Sequence, residues 1–415
     1  MISRFGHIWI LSAALFCAGN NVVVAATPPA PRVVWADPNA LADAKARLAA
    51  GDPALKSALN ALLDDAEQAL RARPQSVMDK RQIPPSGDKH DYISQAPYFW
   101  PNTNSGSGRY IRRDGDRNPA SGKDSDAGRL GSTLSNAHTL ALAFYFTGNE
   151  RYAAKAALLL RVFFLDPATK MNPNLNFGQG IPNEVAGRPT GLIGARGFVP
   201  LMDALGLLER SKSWTPADQA AMRDWLRRYF QWLTTSRIGL GEKAAKNNHG
   251  TFYDSQAAAI AMFLGKTDVA RQIVLAAESN RIPRQILPDG RQPLELRRTL
   301  SFGYSVFNLQ AWCDLAAIGQ NLGIDVWHYR APDGASILRA IEFVAPYADP
   351  QKHWPFEQIH EMKRGGLANV LLRATSHYSR QSHLADALRS FDARRLAANP
   401  IRLMFPTADN PLFTF

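Results

Sequence analysis

The chain predicts an all-α fold built from successive αα-hairpins, on three observations. Apolar residues recur at three- and four-residue spacing along most of its 415 residues, period-two alternation is nearly absent, and short Gly-containing turns separate the helical stretches. Such hairpins either stack as an open solenoid or curl into a closed or incomplete toroid around a cleft. No tight internal repeat is visible, so periodicity leaves these arrangements open.

The N-terminus reads as an export leader. Arg4 precedes an apolar run from Ile8 to Gly19, and Val24-Ala25-Ala26 supplies small residues at the cleavage positions. That run is shorter than the roughly 20 residues a membrane span needs. The expectation is therefore a signal peptide over 1–26, no membrane anchor, and a periplasmic or secreted mature chain. Phe16 stands before Cys17 where a lipoprotein site wants a small residue. Without the leader, Cys313 is the only cysteine, so no intrachain disulfide forms and stability comes from the core.

After a Pro-rich entry at 27–31, Leu59, Leu62, Leu63, Ala66 and Leu70 form an amphipathic stripe that predicts a helix over 55–72. Helices follow over 127–146 and 151–164, joined at Gly148-Asn149, and then over 193–208. Thr215-Pro216-Ala217-Asp218 combines a cap, a first-turn proline and an acidic third position, opening a helix to about 235. The hairpin pattern returns over 255–264 and 268–277 around Gly265-Lys266. One long helix is expected over 294–322, then others over 335–344, 366–378 and 383–397.

Two segments interrupt this pattern. The first, 83–126, is rich in Pro, Gly, Ser, Asn and Asp and carries Tyr92, Tyr98, Phe99, Trp100 and Tyr110; the second, 172–191, holds Asn174, Asn176, Gln179, Asn183 and Arg188. Loops of this length are lids, binding loops or disordered segments, and the aromatics favour order.

The formal net charge of +12 suits a polyanion. By itself it fits nucleic acid or an anionic envelope as well as an acidic polysaccharide. The motifs select the polysaccharide, with no nucleic-acid partner. Asn247-Asn248-His249-Gly250-Thr251-Phe252-Tyr253-Asp254, followed by Arg297 and Tyr304, brings together an amide, an imidazole, a guanidinium and a phenol. In a polyuronate the C5 proton lies alpha to a carboxylate, and removing it creates a dianion unless that carboxylate is neutralised. Asn248, His249 and Arg297 are the neutralising candidates. Tyr304 is the candidate base, and the acid that returns the proton to the leaving oxygen on C4. A free phenol titrates near 10, so it needs a cationic neighbour. Arg297 lies seven residues before Tyr304, on the same face if one helix carries both, and Arg298 then points elsewhere. Tyr253, four residues after His249, sits beside it on a helix. Taken singly, the motif also fits a helix cap with a buried histidine, and the Arg/Tyr pair a surface contact.

The wording of these segments resembles the alginate lyase superfamily of bacterial polysaccharide lyases. Asn247 to Asp254 is similar to its Asn-Asn-His motif. Ser86-Gly87-Asp88-Lys89-His90-Asp91-Tyr92 with Ala96-Pro97-Tyr98-Phe99-Trp100-Pro101 looks like its N-terminal signature, and Tyr110 to Gly115 and Glu295-Leu296-Arg297-Arg298 continue the match. The resemblance implies a single incomplete (α/α) toroid over 27–415, a lid loop over about 83–126, and β-elimination without metal or cofactor. It also implies that Asn248 and His249 neutralise the carboxylate, that Arg297 is their cationic partner and that Tyr304 is the acid/base. Phe252 stands where tryptophan is frequent, and Ser305 where the best-known alginate lyases have histidine, which shifts the expectation toward relatives that cut mannuronan or glucuronan. In both sugars the C5 proton and the C4 oxygen lie on one side of the ring, so one tyrosine serves both steps.

Tyr92, Tyr98, Trp100 and Tyr110 are candidates to stack on sugar rings, or else they pin the loop to the body. Lys89, His90, Arg112 and Arg113 are candidates to meet carboxylates, and His138 to touch substrate. A glycoside hydrolase using two of Glu184, Asp254, Asp289 and Glu295 is a rival reading, as is a polyanion-binding protein without catalysis. No His-Glu-x-x-His, calcium loop, phosphate-cradling loop or Gly-x-Ser-x-Gly elbow is present, and the sequence carries no signal of oligomeric state.

Overall fold

Helices begin where the sequence places caps. Asp37 and Asp52 accept first-turn N–H groups ahead of Pro38 and Pro53, opening α1 (Pro38–Ala49) and α2 (Pro53–Arg71). Ser125 caps α3 (Asp126–Thr147), which stops at Gly148 in the left-handed region with φ 68°, and Asn149 caps α4 (Glu150–Leu160). A 3₁₀ stretch over Pro189–Ala195 leads into α5 (Phe198–Leu208), and the Thr215/Asp218 capping box opens α6 (Pro216–Thr235). The structure, a computed structural model, describes residues 30–103, 108–122 and 125–405; the expected leader at 1–26 lies outside them.

The site is framed by α7 (Arg237–Lys243), α8 (Asn248–Phe263), α9 (Thr267–Asn280), the short α10 (Ile282–Gln285) and α11 (Pro293–Leu296), and α12 (Ser301–Asn321). Then come α13 (Ile337–Val344), α14 (Gly365–His377), α15 (Ser382–Leu388), α16 (Ala393–Ala397) and α17 (Ile401–Met404). The helices α5 and α8 bury nearly all their residues and α12 two thirds of them, whereas α2, α4 and α9 bury one stripe. Burial all round marks an inner helix and an amphipathic stripe an outer one. Packing follows: α3 lies on α4 and α5, α5 on α8, α8 on α9 and α12, and α12 on α14. The result is an incomplete (α/α) toroid, and the described residues from Pro31 onward cluster as one compact unit. The stretch Pro189–Leu208 is long and apolar enough to cross a membrane, but it is 72% buried inside this body.

Three boundaries differ from the sequence expectation. The helix expected from Ser255 begins at Asn248, so the Asn-Asn-His motif is its first turn. The span 383–397 is two short helices. The long helix over 294–322 is broken between α11 and α12, where Thr299 and Leu300 pair with the 357–359 segment. Ser301 N donates to Glu357 O (3.2 Å), Ile359 N donates to Thr299 O (2.9 Å), and Leu300 bridges Gln358. A long-range pairing thus captures backbone groups that a continuous helix needs for itself.

The two irregular segments form small sheets. Strand β1 (Ile93–Gln95) runs parallel to a strand of the second segment, Phe177–Gly180, which joins the two segments. Within the first, β2 (Phe99–Pro101) pairs antiparallel with β3 (Tyr110–Arg112), Phe99 opposite Arg112.

Candidate active site

A cleft of about 630 Å³ opens between the β2/β3 hairpin, the 3₁₀ stretch before α5, and the first turns of α8 and α12. Asn248 and His249 line it from α8, Tyr304 and Phe307 from α12, and Tyr98 and Arg112 from the hairpin. Five arginines line it (Arg112, Arg117, Arg188, Arg196 and Arg298), with no aspartate or glutamate among the lining residues.

Buried amides fix α8 against α12 and so fix His249 relative to Tyr304. Gln285 accepts from Thr251 Oγ1 (3.0 Å), Asn308 Nδ2 (3.1 Å) and Trp312 Nε1 (3.1 Å), while its own amide donates to Asn247 O (3.1 Å). Asn308 also donates to Gln292 Oε1 (2.8 Å), whose amide holds Ser305 O (3.1 Å). Each member has partners, which is the condition for a buried polar network to rigidify.

Two buried carboxylates sit behind the motif. Glu242 Oε1 lies 2.6 Å from His249 Nδ1. Because a carboxylate accepts, Nδ1 carries a proton toward Glu242, and Nε2 is the nitrogen left for the cleft. Glu295 accepts from Asn248 N (2.7 Å) and Asn248 Nδ2 (2.6 Å). Burial raises the Glu295 carboxyl against the lowering effect of these bonds and of the Arg298 and His249 charges. Asn248 Oδ1 is buried with no partner, an oxygen that a donor on a ligand would satisfy. Beneath the turn, Arg281 is paired with Asp254 and donates to Ala245 O and Lys243 O (both 2.8 Å).

On the other wall, Tyr304 Oη receives a hydrogen bond from Arg298 Nη2 (2.7 Å) and donates to Tyr98 Oη (2.7 Å). Arg298 also forks onto Asp114, Nε to Oδ2 (2.8 Å) and Nη2 to Oδ1 (2.6 Å). Burial opposes ionisation of Asp114, yet the Arg298 bond and charge outweigh it and hold the carboxyl at about 2. Burial also lifts the Tyr304 phenol well above its ordinary value; Arg298 pulls it back, while Tyr98 and Asp114 add to the rise. The hairpin docks closely at this point. Gly115 has φ 76°, and a Cβ there would meet Thr299 Oγ1 at 2.4 Å.

The arginines opposite are crowded. Burial lowers the pKa of Arg188, with Arg112 adding to it, and burial lowers that of Arg196, with Arg117 adding to it. An entering carboxylate relieves that cost. Gln179, held at φ 48°, bonds Arg188 through its carbonyl (3.0 Å) and its side chain (3.2 Å).

Of the residues expected from sequence, Asn248, His249, Tyr304, Tyr98 and Arg112 meet in the cleft. Arg297 does not. The break before α12 removes the shared helical face, Arg297 is exposed and lines a different cavity, and Arg298, expected to point elsewhere, takes its place on the phenol. Tyr253 is buried with its hydroxyl on Leu233 O (3.2 Å), turned from His249 toward that second cavity. Lys89, His90, Tyr92, Trp100 and Arg113 are not lining residues of the cleft. Lys89 lends its carbonyl to Lys80 (2.7 Å), and His90 Nδ1 meets Lys170 O (2.6 Å). Tyr92 is fully buried. Trp100 donates to Asp116 O (2.9 Å) under the Arg113 guanidinium. His138 packs edge-on to Trp35 at 5.7 Å, and burial lowers its pKa to about 4. These residues hold the loop and core. The residues that sequence reasoning missed are Arg117, Arg196, Arg298 and Glu242, and Glu295 in its role beneath Asn248; the Arg298–Asp114 pair spans 184 positions, which no local pattern reveals.

None of the hydrolase candidates lines the cleft. Glu184 accepts from Tyr110 N (2.7 Å), Asp254 is held by Arg281, Asp289 pairs with Arg291, and Glu295 lies beneath Asn248.

Comparison with known proteins identifies the family. The family model described as alginate lyase matches residues 76–354. An alginate lyase from Bacteroides ovatus is 39% identical, with a TM-score of 0.84 over 91% of this chain and 99% of that one. Alginate lyase A1-III from Sphingomonas species A1 shares the fold at 17% identity and a TM-score of 0.52, over 85% of this chain and 91% of its own. A histidine-to-alanine variant of alginate lyase A1-III, complexed with tetrasaccharide, superposes at a TM-score of 0.56 and 16% identity, over 92% of this chain and 98% of its own. No curated protein sequence matches. The chain belongs to the alginate lyase family and is a polysaccharide lyase.

Proposed function

We propose that the protein is an exported lyase that cuts mannuronate-rich alginate by syn β-elimination, with Tyr304 as both base and acid. The observation that carries this reading is the Tyr304 hydroxyl, bonded to Arg298 and Tyr98 in a cleft lined by five arginines and no carboxylate. The substrate carboxylate is neutralised by the second amide hydrogen of Asn248, whose first is committed to Glu295, and by His249 acting as an imidazolium, its Nδ1–H held by Glu242 and its Nε2–H turned to the carboxylate. Tyr304 takes the C5 proton, the electron pair forms the C4=C5 bond, and the C4–O bond breaks. The departing oxygen then recovers the proton from Tyr304. One phenol completes the cycle only where proton and leaving group share a face of the ring, as in mannuronate and glucuronate. The similarity to the Bacteroides ovatus enzyme supports alginate, and the apolar run after Arg4 supports export.

The test offers polymannuronate, polyguluronate, glucuronan and a hyaluronan control separately, and follows the ultraviolet absorbance of the conjugated C4=C5 bond. The fastest rise is expected on polymannuronate. A preference for polyguluronate, or saturated new ends without absorbance, contradicts the reading.

A further inference from the structure

The residues of the catalytic turn face two cavities. Ala245 lines the cleft and also a second, larger cavity of about 1070 Å³ between α6 and α9, over α8. The rim of this second cavity carries Lys243, Lys246, Arg284 and Arg297, all exposed. None of the four is in an ion pair among the described residues. The one lining carboxylate, Asp254, is already committed to Arg281. Four uncompensated cations around one concavity are a polyanion's complement. Between them the walls are apolar, from Phe230, Ile273 and Leu294 among others, a surface on which the CH faces of sugar rings pack.

We propose that this cavity is a second binding site for the same polyuronate, which holds a chain segment away from the reacting bond. The inference rests on the polyuronate reading of the cleft. Carboxylates meet the rim cations while ring faces cover the apolar wall. Its floor is coupled to catalysis through Arg281, which reaches from this cavity to the carbonyls of Lys243 and Ala245, just before Asn247-Asn248-His249. Arg297 belongs to this site, one residue away from Arg298 in the cleft.

Calorimetric titration tests it with the oligouronates left after exhaustive digestion, which the enzyme cuts no further. Two bound oligosaccharides per chain are expected, the second weakening with added salt. In Lys243→Glu/Arg284→Glu the second site weakens by more than about tenfold. Its turnover of short oligomers is unchanged, while KM for long polymer rises. One oligosaccharide per chain in the native protein, or two in both proteins with equal affinity, overturns the proposal. Should the native protein leave polymer uncut, the catalytic reading has failed. The same titration then uses intact tetramannuronate, which survives, and its stoichiometry still decides the second site.

Discussion

Tyr304 sits in surroundings that pull its proton two ways. Burial and Tyr98 raise the phenol, and Arg298 draws it back without cancelling the rise. The base form is therefore a minor species at neutral pH, and below the phenol's pKa its fraction grows tenfold per pH unit. The pH profile of kcat/KM is accordingly expected to climb from neutral into the alkaline range while the protein stays folded; a folded enzyme whose kcat/KM falls above pH 7 contradicts the assignment. Arg298 and Arg297 separate cleanly. Arg298→Lys loses the fork onto Asp114 and Tyr304 and is expected to lower kcat at least about tenfold. Arg297→Lys leaves the turnover of short oligomers close to native. Equal losses in steady-state assays would place both residues in the cleft. Glu242 is a positioning residue, acting through His249. Glu242→Gln removes the carboxylate that holds His249 Nδ1–H and orients the ring, with kcat expected to fall about tenfold or more and KM to move less. A variant in which only KM changes assigns Glu242 to substrate binding instead. The amide and imidazole were legible in the sequence because they are adjacent in one motif, and the phenol because it follows shortly after Glu295-Leu296-Arg297-Arg298. Arg298 was not, because its place depends on a helix break that a distant segment imposes.

Among elements, the β2/β3 hairpin joins sequence to catalysis. It brings Tyr98 to the Tyr304 hydroxyl and Asp114 to Arg298, contacts of 206 and 184 residues' separation. Composition set this segment apart as a long loop and the family resemblance implied a lid, but neither revealed the strands, since three-residue strands carry too little alternation to register. Its docking depends on Gly115, with φ 76° and no room for a Cβ beside Thr299. Gly115→Ala is expected to cost roughly 1 kcal/mol or more at that joint. The expected readouts are faster limited proteolysis within 83–126 and a reduced kcat. Unchanged proteolysis and turnover would show that the hairpin docks without this close approach. Helix boundaries were legible where caps and glycines mark them, as at Gly148 and the Thr215/Asp218 box. They were misread at Asn248, where the N-cap residue Asn247 makes no side-chain cap bond.

At the scale of the whole molecule, the all-α class followed from periodicity, while closure into a toroid did not. What closes it is the mutual burial of α5, α8 and α12, whose apolar positions run nearly all round and therefore specify burial without naming a partner. That closure sets His249 on α8 and Tyr304 on α12 across one cleft, which five arginines line. In the proposed mechanism the phenol of Tyr304 is the sole proton carrier of the elimination. That role is tested most directly by following the C4=C5 absorbance on polymannuronate with the native protein and Tyr304→Phe, each shown by calorimetry to bind the oligouronates left after exhaustive digestion. The native protein is expected to produce the double bond, and the variant to bind with similar affinity while its rate falls at least about 10²-fold. A phenylalanine variant that still forms unsaturated ends at the native rate contradicts the account.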